Sequence, residues 1–146
     1  MMQPTYLTWT LVIVGWLLYV PLLFGQALVL MNPHSQRTRD IAIGKGEQWR
    51  DKTHFKGACA GAWADALIQF PVLIAGSVGV LLGHMWGYVL WFGVALIAVY
   101  VSIHLWVSER EYVYPAWGPW AYYTFYWGGY LYWGVAVMVY VLWRLI

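Results

Sequence analysis

Four long runs of apolar residues, at about 7–31, 57–82, 86–107 and 119–144, take up most of the chain, and polar stretches divide them. Each is near or above the roughly 20 residues that a helix needs to cross a hydrocarbon core of about 30 Å. Lipid cannot satisfy backbone N–H and C=O groups, and the alternating ten-residue segments of a membrane barrel are absent, so these runs are expected to be helices. The pattern predicts an all-α fold: one four-helix transmembrane domain over residues 1–146, with no soluble domain attached. The first run has no Lys or Arg before it and is long for the apolar part of a cleavable signal, so it reads as a permanent helix.

Composition supports this reading. The 146 residues are 62% hydrophobic, 20% aromatic and 10% charged, against about 25% charged in soluble domains. Six of the eight basic residues, Arg37, Arg39, Lys45, Arg50, Lys52 and Lys56, lie between the first and second runs. The positive-inside rule then puts that loop in the cytoplasm and the N-terminus outside. Arg110 agrees with this orientation and Arg144 opposes it. The turn Gly83-His84-Met85-Trp86-Gly87 is short, so the second and third helices are expected to form a tight antiparallel hairpin. The long basic loop also carries Trp49, Phe55 and the pair Ile41 and Ile43, and it reads as a surface segment resting on lipid headgroups.

The polar side chains within the spans cluster by depth. Gln26 lies late in the first helix, Asp65 and Gln69 early in the second, and Ser102 and His104 close the third. Tyr122, Tyr123, Thr124 and Tyr126 open the fourth, and Glu109, Arg110 and Glu111 occupy the junction before it. All of them fall at the end of the basic loop, and the opposite half is Val, Leu, Ile, Gly and aromatic. An ionisable group at membrane depth is costly and by default marks a site. Asp65 is the deepest charge, and it shares a helix face with Gln69. His104, Arg110, Lys56 and the tyrosines of the last helix are its expected partners. A carboxyl that merely hydrogen-bonds neighbouring helices is the structural alternative.

Pro115 and Pro119 punctuate the stretch before the last helix. Rings then surround that helix, with Tyr123, Trp127 and Tyr130 on one stripe and Tyr122, Tyr126, Tyr132 and Trp133 on another. Gly128, Gly129 and Gly134 leave gaps among them. Such gaps either receive ridges from neighbouring helices, as Gly57-Ala58-Cys59-Ala60-Gly61 would on the second helix, or border an apolar cavity. Cys59 is the only cysteine, so no disulfide or thiolate cluster is expected, and it reads as a small packing residue. His34, His54, His84 and His104 have no metal-ligand spacing, and His84 lies at the opposite face from the rest. Neither metal nor cofactor is expected. Gly44-Lys45-Gly46-Glu47 lacks the spacing of a phosphate-binding loop. No feature points to nucleic acid.

The run EREYVYPAWGPWAYYTFYWGGYLYWG, with WADALIQFPVLIAGSVGVLLG before it, resembles a family of short prokaryotic four-helix membrane proteins over residues 57–144. That resemblance implies a prokaryotic inner (plasma) membrane, and it implies no activity. In layout the chain is also similar to the membrane-associated eicosanoid and glutathione (MAPEG) enzymes. Those proteins carry Asn, Glu and Pro early in helix two, where Asp65, Ile68 and Pro71 stand here, and arginines in helix three, where Val99, Tyr100, Val101 and Ser102 stand. The ring-rich last helix is a little like that of the emopamil-binding sterol isomerases, whose paired acidic residues have no counterpart here.

Two functions follow as expectations. The first is binding of a lipophilic molecule at the basic end, with or without catalysis: Asp65 as acid/base or polar anchor, His104 and Glu109 as proton-exchange partners, and Gln26, Gln69, Tyr122, Tyr123, Tyr126, Trp127 and Tyr130 as the ligand-binding wall. The second is a structural role, as a homo-oligomer or as a subunit of a membrane complex. A conduction path through one subunit is disfavoured, since no helix carries polar residues through its full depth.

Overall fold

The structure, a computed structural model, describes residues 3–110 and 118–146. It is all-helical among these residues, and four helices are long and apolar enough to cross a membrane. The chain is an integral membrane protein. Helix α1 is Tyr6–Met31 and a short α2 is Gln36–Ala42. Helix α3 runs Lys52–Leu81 and α4 Met85–Glu109. Helix α5 opens with the turn Pro119–Ala121 and continues as Tyr122–Leu145. The expected turn through Glu111 and Pro115 lies outside the described residues.

Local chemistry explains the boundaries. Thr5 caps α1 in a capping box with Thr8, and both hydroxyls meet Tyr140 OH of α5. Asp51 caps α3 by accepting from the N–H groups of Thr53 and His54 at 2.7 and 2.8 Å. The second span therefore starts at Lys52, five residues before the apolar run, because a cap and not hydropathy begins the helix. At the far end of α3, Gly83 takes φ 71° and lets the His84 N–H reach Gly79 O at 2.9 Å. That is a Schellman closure, in which glycine avoids a Cβ clash.

Two stretches within the spans are wider than an α-helix. In α3, Asp65–Gln69 is π-helical, and Phe70 N–H bonds to Asp65 O five residues back. Pro71 follows at once. It has no N–H for Leu67 O and its ring crowds that carbonyl, so the widened turn relieves a clash that a regular helix would keep. In α5 the π-helical stretch is Tyr122–Trp127, with Gly128 N–H bonded to Tyr123 O. Five of its six residues are large rings, and a wider turn spreads them further apart.

Helix α4 is central. It packs along the second half of α3 on one side and along α5 on the other. At the hairpin end the backbones nearly touch: a Cβ on Gly87 would lie 2.2 Å from the Gly79 carbonyl carbon, and one on Gly134 would lie 2.7 Å from Ala95 O. Trp133 lies over Gly15, where a Cβ would meet its ring at 2.7 Å, and donates its Nε1–H to Leu11 O at 2.8 Å. These contacts surround a solid core of Trp91, Val94, Val137 and Val141, each fully buried.

The basic end is built differently. Before the π-helical turn, Lys52–Ala64 leaves α4 and packs chiefly on α1. The loop after α1 is exposed at Arg37, Lys45, Glu47 and Arg50 and anchored through its apolar residues. Ile43 is buried, Trp49 donates to Pro33 O at 3.0 Å, and the Trp49 ring meets those of His54 and Phe55. Asp40 ties the loop together by accepting from Gly46 N–H and the Gln36 amide, and these bonds hold its carboxyl below the usual carboxylate range.

Candidate functional site

Where α3 leaves α4, a cavity of about 600 Å³ opens among α1, α3, α4 and α5, a volume within the range of small-molecule sites. Behind two of its wall residues, Gln69 and Tyr130, lies Tyr19, a residue the sequence pattern did not single out. Tyr19 is fully buried, its hydroxyl accepts from Gln69 Nε2 at 2.8 Å, and its ring meets those of Tyr130 and Trp133 edge-on at 5.3 and 5.6 Å. A phenol hydroxyl midway along the first span, where its neighbours Leu17, Leu18, Val20 and Pro21 are aliphatic, was the available signal. Tyr130 fixes the wall beside it by donating to Leu18 O at 2.6 Å.

Asp65 and Gln26 form the polar pair of the cavity, with Gln26 Nε2 donating to Asp65 Oδ2 at 2.7 Å. Asp65 sits in the π-helical turn, so the stretch that Pro71 widens also carries the acid. Among the described residues no Lys or Arg lies within ion-pair distance of Asp65 or Glu109. His104 and Glu109 both line the cavity, and His54, His104 and Arg50 lie within electrostatic reach of Glu109. Lys56 and Arg110, expected as partners of Asp65, are not on the wall, and Gln26 takes that place.

The cavity collects the predicted site residues with one exception. Gln26, Asp65, Gln69, His104, Glu109, Tyr122, Tyr126, Trp127 and Tyr130 all line it. Tyr123 does not. It is buried on another side of α5, where its ring meets Trp106 at 6.2 Å. The widened turn explains this, because an extra residue per turn rotates the positions before it. Tyr122 and Tyr126, stacked at 5.2 Å, come round to join Trp127 and Tyr130 on the cavity face.

Sequence reasoning also missed wall residues that have no polar signature. Gly57 and Gly61 line the cavity, and a Cβ on either would meet nothing within 4 Å. They leave space where the pattern allowed a ridge-receiving groove. Ile41, Ala42 and Trp49 of the basic loop cover the cavity from that end. The apolar pair in α2 and the lone Trp of a charged loop were the clues to this role.

Most of the wall residues that are exposed on the outside of the bundle belong to α3 and α4: Gly57, Gly61, Ala64 and Ile68 on one, Tyr100 and His104 on the other. Tyr100 and His104 line it and also border a shallow groove with Ile103 and Val107 on the outer surface of α4. Tyr100 is 68% exposed and Ile68, across the gap, 57%. Among the described residues no three His, Cys, Asp or Glu side chains converge as a metal site. No family model matches the chain, and neither a curated protein nor a solved structure matches it.

Proposed function

We propose that this protein binds a lipophilic small molecule in the cavity at its basic end, and that the molecule arrives from the bilayer through the gap between α3 and α4. One observation carries the reading: a ring-lined cavity of about 600 Å³ with a single acid–amide pair inside it, at the depth of the apolar spans. Apolar walls with a few convergent polar groups are the usual form of a small-ligand site. The Asp65–Gln26 pair anchors the polar part of the ligand. Tyr122, Tyr126, Trp127 and Tyr130 hold its apolar body. Asp65 is also the group placed to exchange a proton with a bound molecule, with His104 and Glu109 towards the basic end. A prokaryotic inner membrane is the location we propose, on the resemblance of residues 57–144 alone.

The test is the set of small molecules that stay with the purified protein in mild detergent. The wild type should carry an apolar molecule detectable by mass spectrometry. Gly61→Phe, which sends a ring into space that holds no atom within 4 Å of the new Cβ, should lose it without loss of fold. A wild type that emerges bare but tightly bound to another membrane protein or to its own copies would favour the structural role instead.

A further inference from the structure

The charges of the cavity wall narrow the class of ligand. Six basic residues crowd the loop and the start of α3, yet neither Lys nor Arg lines the cavity. Among the described residues, its carboxyls are Asp65 and Glu109 and its imidazoles His54 and His104. Arg50 and both imidazoles lie within reach of Glu109, at the basic end of α4. Asp65, deeper in, has the Gln26 amide, a neutral donor. A carboxylate at membrane depth is costly unless a countercharge meets it. An anionic head would be repelled there, and a neutral one would leave the charge unmet. The wall also carries the rings of Trp49, Tyr100, Tyr122, Tyr126, Trp127 and Tyr130, and aromatic faces attract cations, quaternary ammonium groups above all.

We infer that the ligand is a lipophilic cation, an amine or quaternary ammonium on an apolar body, whose charged nitrogen meets Asp65 while the rings of α5 enclose the groups around it. The inference rests on the binding function proposed above. It also gives entry between α3 and α4 a purpose. A cation approaching from the loop side would pass Arg37, Arg39, Lys45 and Arg50, and one partitioned into the bilayer reaches Asp65 without meeting them.

The experiment titrates the protein in dodecyl-maltoside micelles, whose headgroup is neutral, with three probes of one chain length: octadecylamine, octadecanol and octadecanoate. Binding is read from tryptophan fluorescence, since Trp49 and Trp127 line the cavity, and from the shift in unfolding temperature. Gly61→Phe gives the background of micelle partitioning. The amine should bind at least tenfold more tightly than the alcohol, and the acid most weakly. Asp65→Asn should bring the amine and alcohol affinities together, and Asp65→Glu should keep most of the preference. Wild-type protein that binds the alcohol as well as the amine, with both lost in Gly61→Phe, would overturn the cation and leave the cavity function standing. Tighter binding of the acid would overturn it equally. Wild-type protein that binds none of the three above the Gly61→Phe background would overturn both.

Discussion

Glycine does opposite work at the two ends of the α3–α4 hairpin. At the hairpin end, Gly79 and Gly87 bring two backbones together so closely that neither position has room for a methyl group. At the basic end, Gly57 and Gly61 on the same helix α3 face space with no atom within 4 Å. Small residues in a membrane helix usually signal close packing, and here that holds for one half of the helix. The π-helical turn at Asp65–Gln69 divides the two regimes. Beyond it α3 follows α4, and before it α3 turns to α1. A small residue in a span thus marks either a contact or a vacancy, and only the path of the neighbouring helix tells which.

The largest expected effect lies at the closed end. Gly87→Ala puts a Cβ 2.2 Å from the Gly79 carbonyl carbon, where backbone and not a flexible side chain must give way. It should cost at least about 3 kcal/mol, the upper range for overpacking, or abolish accumulation of folded protein. Unfolding in detergent checks it. Next in size is the boundary between the two ends. Tyr19→Phe removes the acceptor of the Gln69 amide, which is 5% exposed, and a buried donor left unsatisfied costs about 1–3 kcal/mol. The same unfolding assay should show that loss, and amide exchange should show faster opening at the level of Gln69. If Tyr19→Phe were neutral, water rather than Tyr19 would be satisfying the Gln69 amide.

Smaller still, and opposite in sign, is Gly61→Ala. The new methyl group meets nothing within 4 Å, and helix propensity alone should stabilise by up to about 1 kcal/mol. A destabilisation comparable to that of Gly87→Ala would show that both ends are packed alike. The smallest effect concerns pH at the start of α3. The backbone N–H of His54, then that of Thr53 and the Arg50 side chain, hold the Asp51 carboxyl below its usual range. A carboxyl lowered on folding stabilises fully above its unfolded value of about 3.9, and that contribution disappears as the pH falls through the lower folded value. Exchange of the first-turn amides of α3 should therefore quicken below about pH 4, relative to those of the hairpin end. Asp51→Asn, itself a good cap, should flatten that dependence.

Much of this was legible before the coordinates. Hydropathy gave the four spans, and the cost of polar groups in lipid gave the depth at which Gln26, Asp65, Gln69, His104 and Glu109 gather. The rest was hidden for physical reasons. Lys52 and Lys56 made the start of α3 look like loop, although the Asp51 cap begins the helix there. A constant 3.6-residue period aligned Tyr123 with Trp127 and Tyr130, and the widened turn at Tyr122–Trp127 broke that register. Gly57 and Gly61 carry no mark that separates space from contact. Ile41 and Trp49 reach the cavity because the loop folds back over it, a tertiary event that no local pattern encodes.

The most direct test is an experimental density map of the protein taken from its native membrane and crystallised in a lipidic mesophase. The account predicts elongated non-protein density beginning at the Asp65–Gln26 pair and leaving between α3 and α4, past Ile68 and Tyr100. A map in which Gly61, Ile68, Tyr100 and Tyr126 close on one another, with α3 packed along α4 from end to end, would contradict it.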